Sequence, residues 1–384
     1  MLNPDLFQPL PQQEGAYIYD DGDRGPAEFF HGRKDIRARF HRVLATAHAK
    51  KAGTTFLVQG APGAGKSALL HQICTESEGW VLANIGGPEL WNPAAMAQAL
   101  GKSYTVTRTI SGGVEIKVFS GGVDKEVAGS ATPGEVLRRQ APPTGVILVF
   151  DEAQTLPKIS AHVEMEATAT LNAIHNGLLG APVVLLTAGL GTTKIAYKQM
   201  GVSQFKRGCV HQIEALGLQA QQAVIRDWLT IAGGAKGDVD PWIDAITEKS
   251  HGWPQHMICY ALCAKDVLDQ TGGEMSSAAL EEVLAFGDHD RAAYYAGRVD
   301  GLKQSDIVRI AQVFSGVGPS EHMSKEDIID SLQYGQDHAL AEKLFEDLLH
   351  RGVIAYTTDG MYQSPIPSFQ RWIVQNFGKD LGKG

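Results

Sequence analysis

Cysteine is scarce in this chain, with four among 384 residues. Cys74, Cys209, Cys259 and Cys263 are too few and too scattered for a disulfide framework. Cys259 and Cys263 stand one helical turn apart, but no second pair with metal-ligand spacing accompanies them, so they read as buried structural thiols. Long apolar runs are missing too. "GVILVF" and "PVVLLTAGL" are far too short to cross a bilayer, so no membrane is expected among the partners. Nor is there an excess of base: 34 Lys and Arg stand against 43 Asp and Glu, a net charge of -9. That argues against a protein that coats nucleic acid electrostatically, while leaving room for a local basic patch. The opening "MLNPDLFQPLPQQEG" has neither a basic start nor an apolar core, so a secretory signal is not expected and the cytoplasm is the expected compartment. No internal repeat or low-complexity tract is visible. What remains is an ordinary globular composition, 43% hydrophobic and 20% charged, with length for two or three domains.

Apolar strands alternate with helices along the first half. "TTFLVQG", "WVLANIG", "GVILVFDEAQ", "APVVLLTAGLG" and "GCVHQIEAL" read as strands, and the segments between them carry helical periodicity. Buried strands of this kind imply a parallel sheet covered on both faces. Residues 1–28 read as an extended lead-in, and 29–216 as the α/β core. Within it, 104–130 breaks the pattern: three β-rich runs separated by Ser-Gly-Gly turns suggest an inserted hairpin or small meander. Its charges alternate in sign (Arg108, Lys117 and Lys125 against Glu115, Asp124 and Glu126), so it is no basic arm. A subunit contact and an inert decoration both remain open. Residues 217–296 carry single apolar stripes and form a helical segment. Residues 297–384 read helix, helix, helix, hairpin, which is the order of a winged helix.

Chemistry concentrates in "LVQGAPGAGKSALL". The segment Gly60-Ala61-Pro62-Gly63-Ala64-Gly65-Lys66-Ser67 fits the full Walker A pattern, with a strand before it and a helix, beginning Lys66-Ser67-Ala68, after it. Gly60, Pro62, Gly63, Ala64 and Gly65 supply a backbone that approaches phosphates closely, and the helix start at Lys66, Ser67 and Ala68 adds its positive end. Lys66 is expected to reach the β- and γ-phosphates of ATP, and the Ser67 hydroxyl to ligate Mg²⁺. In "FDEAQ" the strand ends in acid: Asp151 is the second expected Mg²⁺ partner, and Glu152 the group that polarises the attacking water.

These motifs in this order resemble the origin-recognition-like AAA+ ATPases with a carboxy-terminal winged helix. The resemblance runs from about residue 29 to 375 and implies an α/β P-loop NTPase core of the additional-strand class, a helical lid over 217–296 and a winged-helix domain over 297–384. "FFHGRKDI" resembles the family segment that packs near the adenine. In "TAGLGTT", Thr187 falls where the family has its sensor-1 residue, and in "SQFKRGCV" Arg207 falls in the arginine-finger region, with Lys206 as second choice. The implied function is Mg-ATP binding and hydrolysis, coupled to assembly of a homo-oligomer or to a conformational change, with DNA reached through the oligomer.

Two departures point elsewhere. Where a sensor-2 arginine is expected, the chain reads His251-Gly252-Trp253-Pro254-Gln255-His256; His256 either approaches the phosphates or packs a helix start. The expected recognition helix "HALAEKLFEDLLHRG" has Lys343 and Arg351 but also Glu342, Glu346 and Asp347, and "YTTDGMYQS" has no base. The alternative is therefore a signalling or defence switch that binds ATP or ADP and regulates a partner protein, with weak or no hydrolysis; a nucleotide-stabilised scaffold is a third reading.

Overall fold

The computed structural model describes residues 29–101, 104–108, 114–118, 132–156, 161–202, 204–318, 321–333, 337–357 and 360–378. The lead-in 1–28 and the third β-rich run of the insertion lie outside them. The chain divides into two compact units: 33–59 with 66–212, and 29–32 with 60–65 and everything from Ile213 on.

The first unit is built on a sheet. In chain order it comprises α1 (Lys34–Lys50), β1 (Thr54–Gln59), α2 (Lys66–Thr75), β2 (Val81–Asn84), α3 (Pro93–Gly101), β3 (Tyr104–Arg108), β4 (Val114–Val118), α4 (Pro133–Gln140), β5 (Val146–Phe150), α5 (Ala161–His175), β6 (Val183–Gly189), α6 (Thr193–Gln199) and β7 (Val210–Gln212). The strands lie in the order β4-β3-β2-β5-β6-β1-β7. From β2 to β7 every pairing is parallel, as the five apolar runs predict. β1 and β6 are buried along their whole length, which is why they read as continuous apolar runs rather than as alternation. The described part of the insertion is a hairpin: β3 pairs antiparallel with β2, and β4 with β3. It extends the sheet at one edge.

Phe40, Leu44 and Ala47 bury one stripe of α1, and Phe40 meets Phe56 of β1 edge-on at 5.1 Å. Beside that stripe α1 is tied by Glu76, just past α2, which accepts hydrogen bonds from the buried Arg37, from His41 at 3.3 Å and from Gln72 at 2.8 Å. Burial pushes the Glu76 carboxyl up, but the bonds from His41, Arg37 and Gln72, with the Arg37 charge, outweigh it and bring it down from 4.5 to about 2. A carboxyl depressed in the folded state contributes stability that is present above its unfolded value and lost as pH falls through the folded one. Glu76→Gln is therefore expected to cost on the order of 2–3 kcal/mol at neutral pH and to flatten the loss of stability between about pH 5 and 2. Melting temperature against pH for both proteins checks this; parallel acid limbs would contradict it.

The second unit is helical: α7 (Leu218–Asp227), α8 (Asp240–Ser250), α9 (Pro254–Thr271), α10 (Ser277–Val299), α11 (Gln304–Ser315), α12 (Lys325–Leu332), α13 (His338–Arg351) and α14 (Pro367–Phe377), with β8 (Ala355–Tyr356) and β9 (Tyr362–Gln363) between the last two. Ile225, Ile246, Tyr260, Val267 and Leu268, all essentially fully buried, lie at the centre of the core shared by α7, α8 and α9. α11, α12 and α13 are followed by the β8–β9 hairpin. Ser324 and Asp327 form a reciprocal cap at the start of α12, and Met323 makes a single antiparallel bridge to Tyr362 of the hairpin. Tyr295 of α10 donates to Ser368 at 2.7 Å and meets Phe369 and Trp372, fastening α10 to α14.

Candidate functional site

β5 and β6 lie side by side with Phe150 opposite Thr187, so Asp151 follows directly at the end of β5, while β6 runs two residues further to Gly189. Lys66 opens α2 and is buried, at 6% exposure. Beside it the Ser67 hydroxyl donates to Asp151 Oδ2 at 2.5 Å. Two residues 84 positions apart in sequence are thus brought together, a hydroxyl and a carboxylate. They are hard oxygen donors of the kind Mg²⁺ accepts in ones and twos alongside phosphate and water. Among the described residues no group of three or more His, Cys, Asp or Glu side chains gathers as an all-protein metal cage. Ala68, half-buried, completes the first turn of α2, whose N–H groups have no partner within the helix.

The other acid is set differently. Glu152 has a left-handed backbone, φ 52°, uncommon for a non-glycine residue, and its N–H donates to Asp151 Oδ1 at 2.8 Å. Its side chain is exposed and receives a hydrogen bond from Gln154 Nε2. The Gln154 oxygen in turn accepts the Leu190 N–H at 3.1 Å, just past β6. Gln154 therefore ties Glu152 to the end of the neighbouring strand. Reading "DEAQ" as two acids overlooked it, although its position in the motif was the available signal.

Thr187 is fully buried, and its hydroxyl accepts from Tyr197 at 3.1 Å; burial raises the Tyr197 hydroxyl well above the ordinary tyrosine range, so it stays a donor. Lys206 and Arg207 are both exposed, yet they differ. Lys206 donates to the Gly53 carbonyl at 3.2 Å. The Arg207 carbonyl is held by Arg39 at 2.6 Å, which anchors the backbone of this exposed residue.

The loop itself has Gly63 at φ 82° and Gly65 at φ 85°, in the left-handed region that favours glycine. A Cβ on Gly63 would come within 2.7 Å of Tyr294 Oη and 2.9 Å of Gln255 Cβ. Ala61 and Ala64 are buried. The Pro62 carbonyl accepts from Tyr294 and Arg298 of α10, and the Gly63 carbonyl from the Gln255 N–H. Tyr294 and Arg298 carry no motif and were not found from the sequence.

His256 packs the start of α9. It is fully buried between Tyr294 and Tyr295, and burial, then the Arg291 charge, lowers its pKa to about 3, so the ring is neutral. Cys263 is buried, its thiol pushed up to about 12 by burial, while Cys259 is half-buried. In the same unit Phe29 meets Trp228 edge-on at 5.8 Å, and His31 pairs with Asp227 at 2.6 Å, fixing the start of "FFHGRKDI" at the end of α7.

A parallel sheet in which β6 separates the loop strand β1 from the acid-bearing β5, with the Walker A helix start set against that acid, is the α/β P-loop NTPase fold of the additional-strand kind. The structure is similar to the Walker-type ATPase PABY2304 of Pyrococcus abyssi, with 12% identity over 96% of this chain and 99% of that one and a TM-score of 0.58. It is less similar to the ORC2 protein of Aeropyrum pernix (12% identity, 92% and 96% covered, TM-score 0.48) and to a RuvB variant of Thermotoga maritima (16%, 86% and 91%, TM-score 0.45). Only the first likeness is strong enough to compare folds. No protein-family model and no curated protein matches the chain.

Proposed function

We propose that the chain is an ATPase that binds Mg-ATP and hydrolyses it to ADP and phosphate, coupling the cycle to assembly of a homo-oligomer or to a conformational change. The observation that carries this is the 2.5 Å contact between Ser67 and Asp151 at the start of the helix that follows a complete Walker A segment. In this reading Lys66 would neutralise the β- and γ-phosphates, and Ser67 and Asp151 would hold Mg²⁺, which would neutralise charge on the phosphates. Glu152 takes the proton of the attacking water as its oxygen bonds to the γ-phosphorus and the bond to the β–γ bridging oxygen breaks. Thr187 supports the strand end that carries Asp151. Arg207, exposed and anchored only through its backbone, is offered to a neighbouring subunit's nucleotide. The test is titration of the intact protein with Mg-ATP and Mg-ADP, followed by phosphate release. A chain that neither melts higher with nucleotide nor releases phosphate would end the proposal.

Residues 297–384 are assigned as a winged helix that contacts protein in preference to DNA. Of the two basic residues on α13, Arg351 is occupied: its Nε donates to Asp347 at 2.8 Å and its Nη1 to the Asp300 carbonyl at 2.7 Å. Lys343 stands exposed among Glu342, Glu346 and Asp347. Each phosphate contact needs a base that releases a counterion, and this face offers too few. The nucleotide-free chain should bind duplex DNA no tighter than about 10⁻⁴ M at physiological salt, the range of non-specific contacts. Submicromolar binding by fluorescence anisotropy, with a steep salt slope reduced by Lys343→Glu, would make DNA recognition the domain's main task. Weak binding that tightens only with ATP and rising protein concentration fits DNA reached through an oligomer.

The second reading, a nucleotide-dependent switch acting on a partner protein with little hydrolysis, is favoured by the Gly252-Trp253-Pro254 turn, which stands where a sensor-2 arginine would, and by the acidic α12 and α13. Among the described residues no helix is long and apolar enough to cross a membrane; the cytoplasm is the proposed compartment.

A further inference from the structure

Two consecutive carbonyls of the loop are held from its outer side. The Pro62 oxygen accepts the Tyr294 hydroxyl at 2.7 Å and Arg298 Nη2 at 3.1 Å, and the Gly63 oxygen accepts the Gln255 N–H at 3.1 Å. The Tyr294 hydroxyl also accepts from Arg298 and from Trp253 Nε1 at 3.4 Å, and the Arg298 guanidinium lies 4.6 Å from the Tyr294 ring centre. Burial raises the Tyr294 hydroxyl above its ordinary range, so it remains a donor at neutral pH. A trans peptide points its C=O and its N–H in opposite directions. Holding the Pro62 carbonyl outward therefore fixes where the Gly63 N–H points; the Ala64 N–H is turned back onto the Ala61 carbonyl at 3.2 Å, closing the loop as a tight turn. A phosphate is bound by such N–H groups only when they converge.

The same guanidinium has a second hold. Arg298 Nη1 donates to the Arg351 carbonyl at 2.8 Å, at the end of α13. Gly352, at φ 66°, lies so close that a Cβ there would stand 2.4 Å from Pro62 Cδ. The outer side of the loop is thus the seat of both α10 and the end of α13.

We infer that Tyr294 and Arg298 are positioning residues of the phosphate loop: they preorganise its N–H groups for the triphosphate from a helix that carries no nucleotide motif, and Arg298 ties that geometry to α13. This rests on the nucleotide-binding reading above. The arginine missing from the start of α9 is replaced, in this arrangement, by one that grips the loop rather than the ligand.

The experiment compares the full-length chain with Tyr294→Phe, Arg298→Gln and Arg298→Lys. It reads amide hydrogen exchange over residues 60–65 without nucleotide, and the Kd for Mg-ATP by calorimetry. Tyr294→Phe keeps the ring and removes one hydrogen bond, so it should speed exchange in the loop and raise Kd about fivefold to tenfold. Arg298→Gln should do at least as much and should also speed exchange at residues 350–353. Arg298→Lys, which can still donate to Pro62, should recover part of the affinity. Wild-type binding with all variants at unchanged Kd overturns this inference alone. A wild-type chain with no measurable affinity overturns the nucleotide reading and this inference with it. Should Arg298→Gln fail to fold, Tyr294→Phe decides the matter by itself.

Discussion

Lys66→Ala should abolish the rise in melting temperature that Mg-ATP gives the intact protein. A ligand at ~100 times its Kd adds about 2.7 kcal/mol to stability. Loss of the charge that faces the β- and γ-phosphates, if it weakens binding about 100-fold, brings the same ATP concentration close to Kd, where the added stability is only about 0.4 kcal/mol. Lys66 is buried, so the substitution will also change the stability of the nucleotide-free protein. The quantity to compare is therefore the shift on adding nucleotide, not the melting temperature itself. Ser67→Ala offers a second arm: it removes one Mg²⁺ donor and should make the shift far less dependent on magnesium. An undiminished shift in Lys66→Ala would mean that nucleotide, if bound, is held somewhere other than the Walker A segment.

Hydrolysis should depend on assembly. An arginine that stabilises transition-state charge in trans is worth roughly a thousandfold in P-loop enzymes. Arg207 is exposed and its backbone is pinned by Arg39, an arrangement that fixes the base of the side chain. Arg207→Ala should bind Mg-ATP as the wild type does and lose about three orders of magnitude in turnover. Turnover per subunit in the wild type should rise with protein concentration. Glu152→Gln should bind and not hydrolyse, and it keeps the hydrogen bond to Gln154 geometrically available. Lys206→Ala is the control: that side chain is spent on the Gly53 carbonyl, so its loss should bear on stability rather than on turnover. Concentration-independent turnover, untouched by Arg207→Ala, would show an active site complete within one chain. Binding in every variant with negligible turnover throughout would favour the switch.

What sequence could and could not reveal follows from the range of the interactions. The three central strands β1, β5 and β6 were legible because parallel strands buried on both faces must be apolar throughout, and "FLV", "VILVF" and "VVLL" satisfy that without any reference to their neighbours. The Walker A segment was legible because its demands are local: glycine where φ is positive, at Gly63 and Gly65, and a lysine and a hydroxyl at a helix start. Asp151 and Glu152 could be named as acids ending a strand. Their difference could not, because it comes from the left-handed turn at Glu152 and from Gln154 bridging to Leu190.

By itself, then, the amino-acid sequence determined the elements, the order of the α/β half and the phosphate loop, since each depends on side chains within a turn or a strand of one another. Tertiary structure decided the rest. It set Ser67 against Asp151 across 84 residues, gave the Lys206 side chain the Gly53 carbonyl to bind, and buried His256 as a neutral ring among tyrosines. It also brought Tyr294 and Arg298, more than 230 residues from Pro62, onto that residue's carbonyl. A backbone carbonyl leaves no mark in a sequence, so the side chains that hold it are found only when the chain is folded.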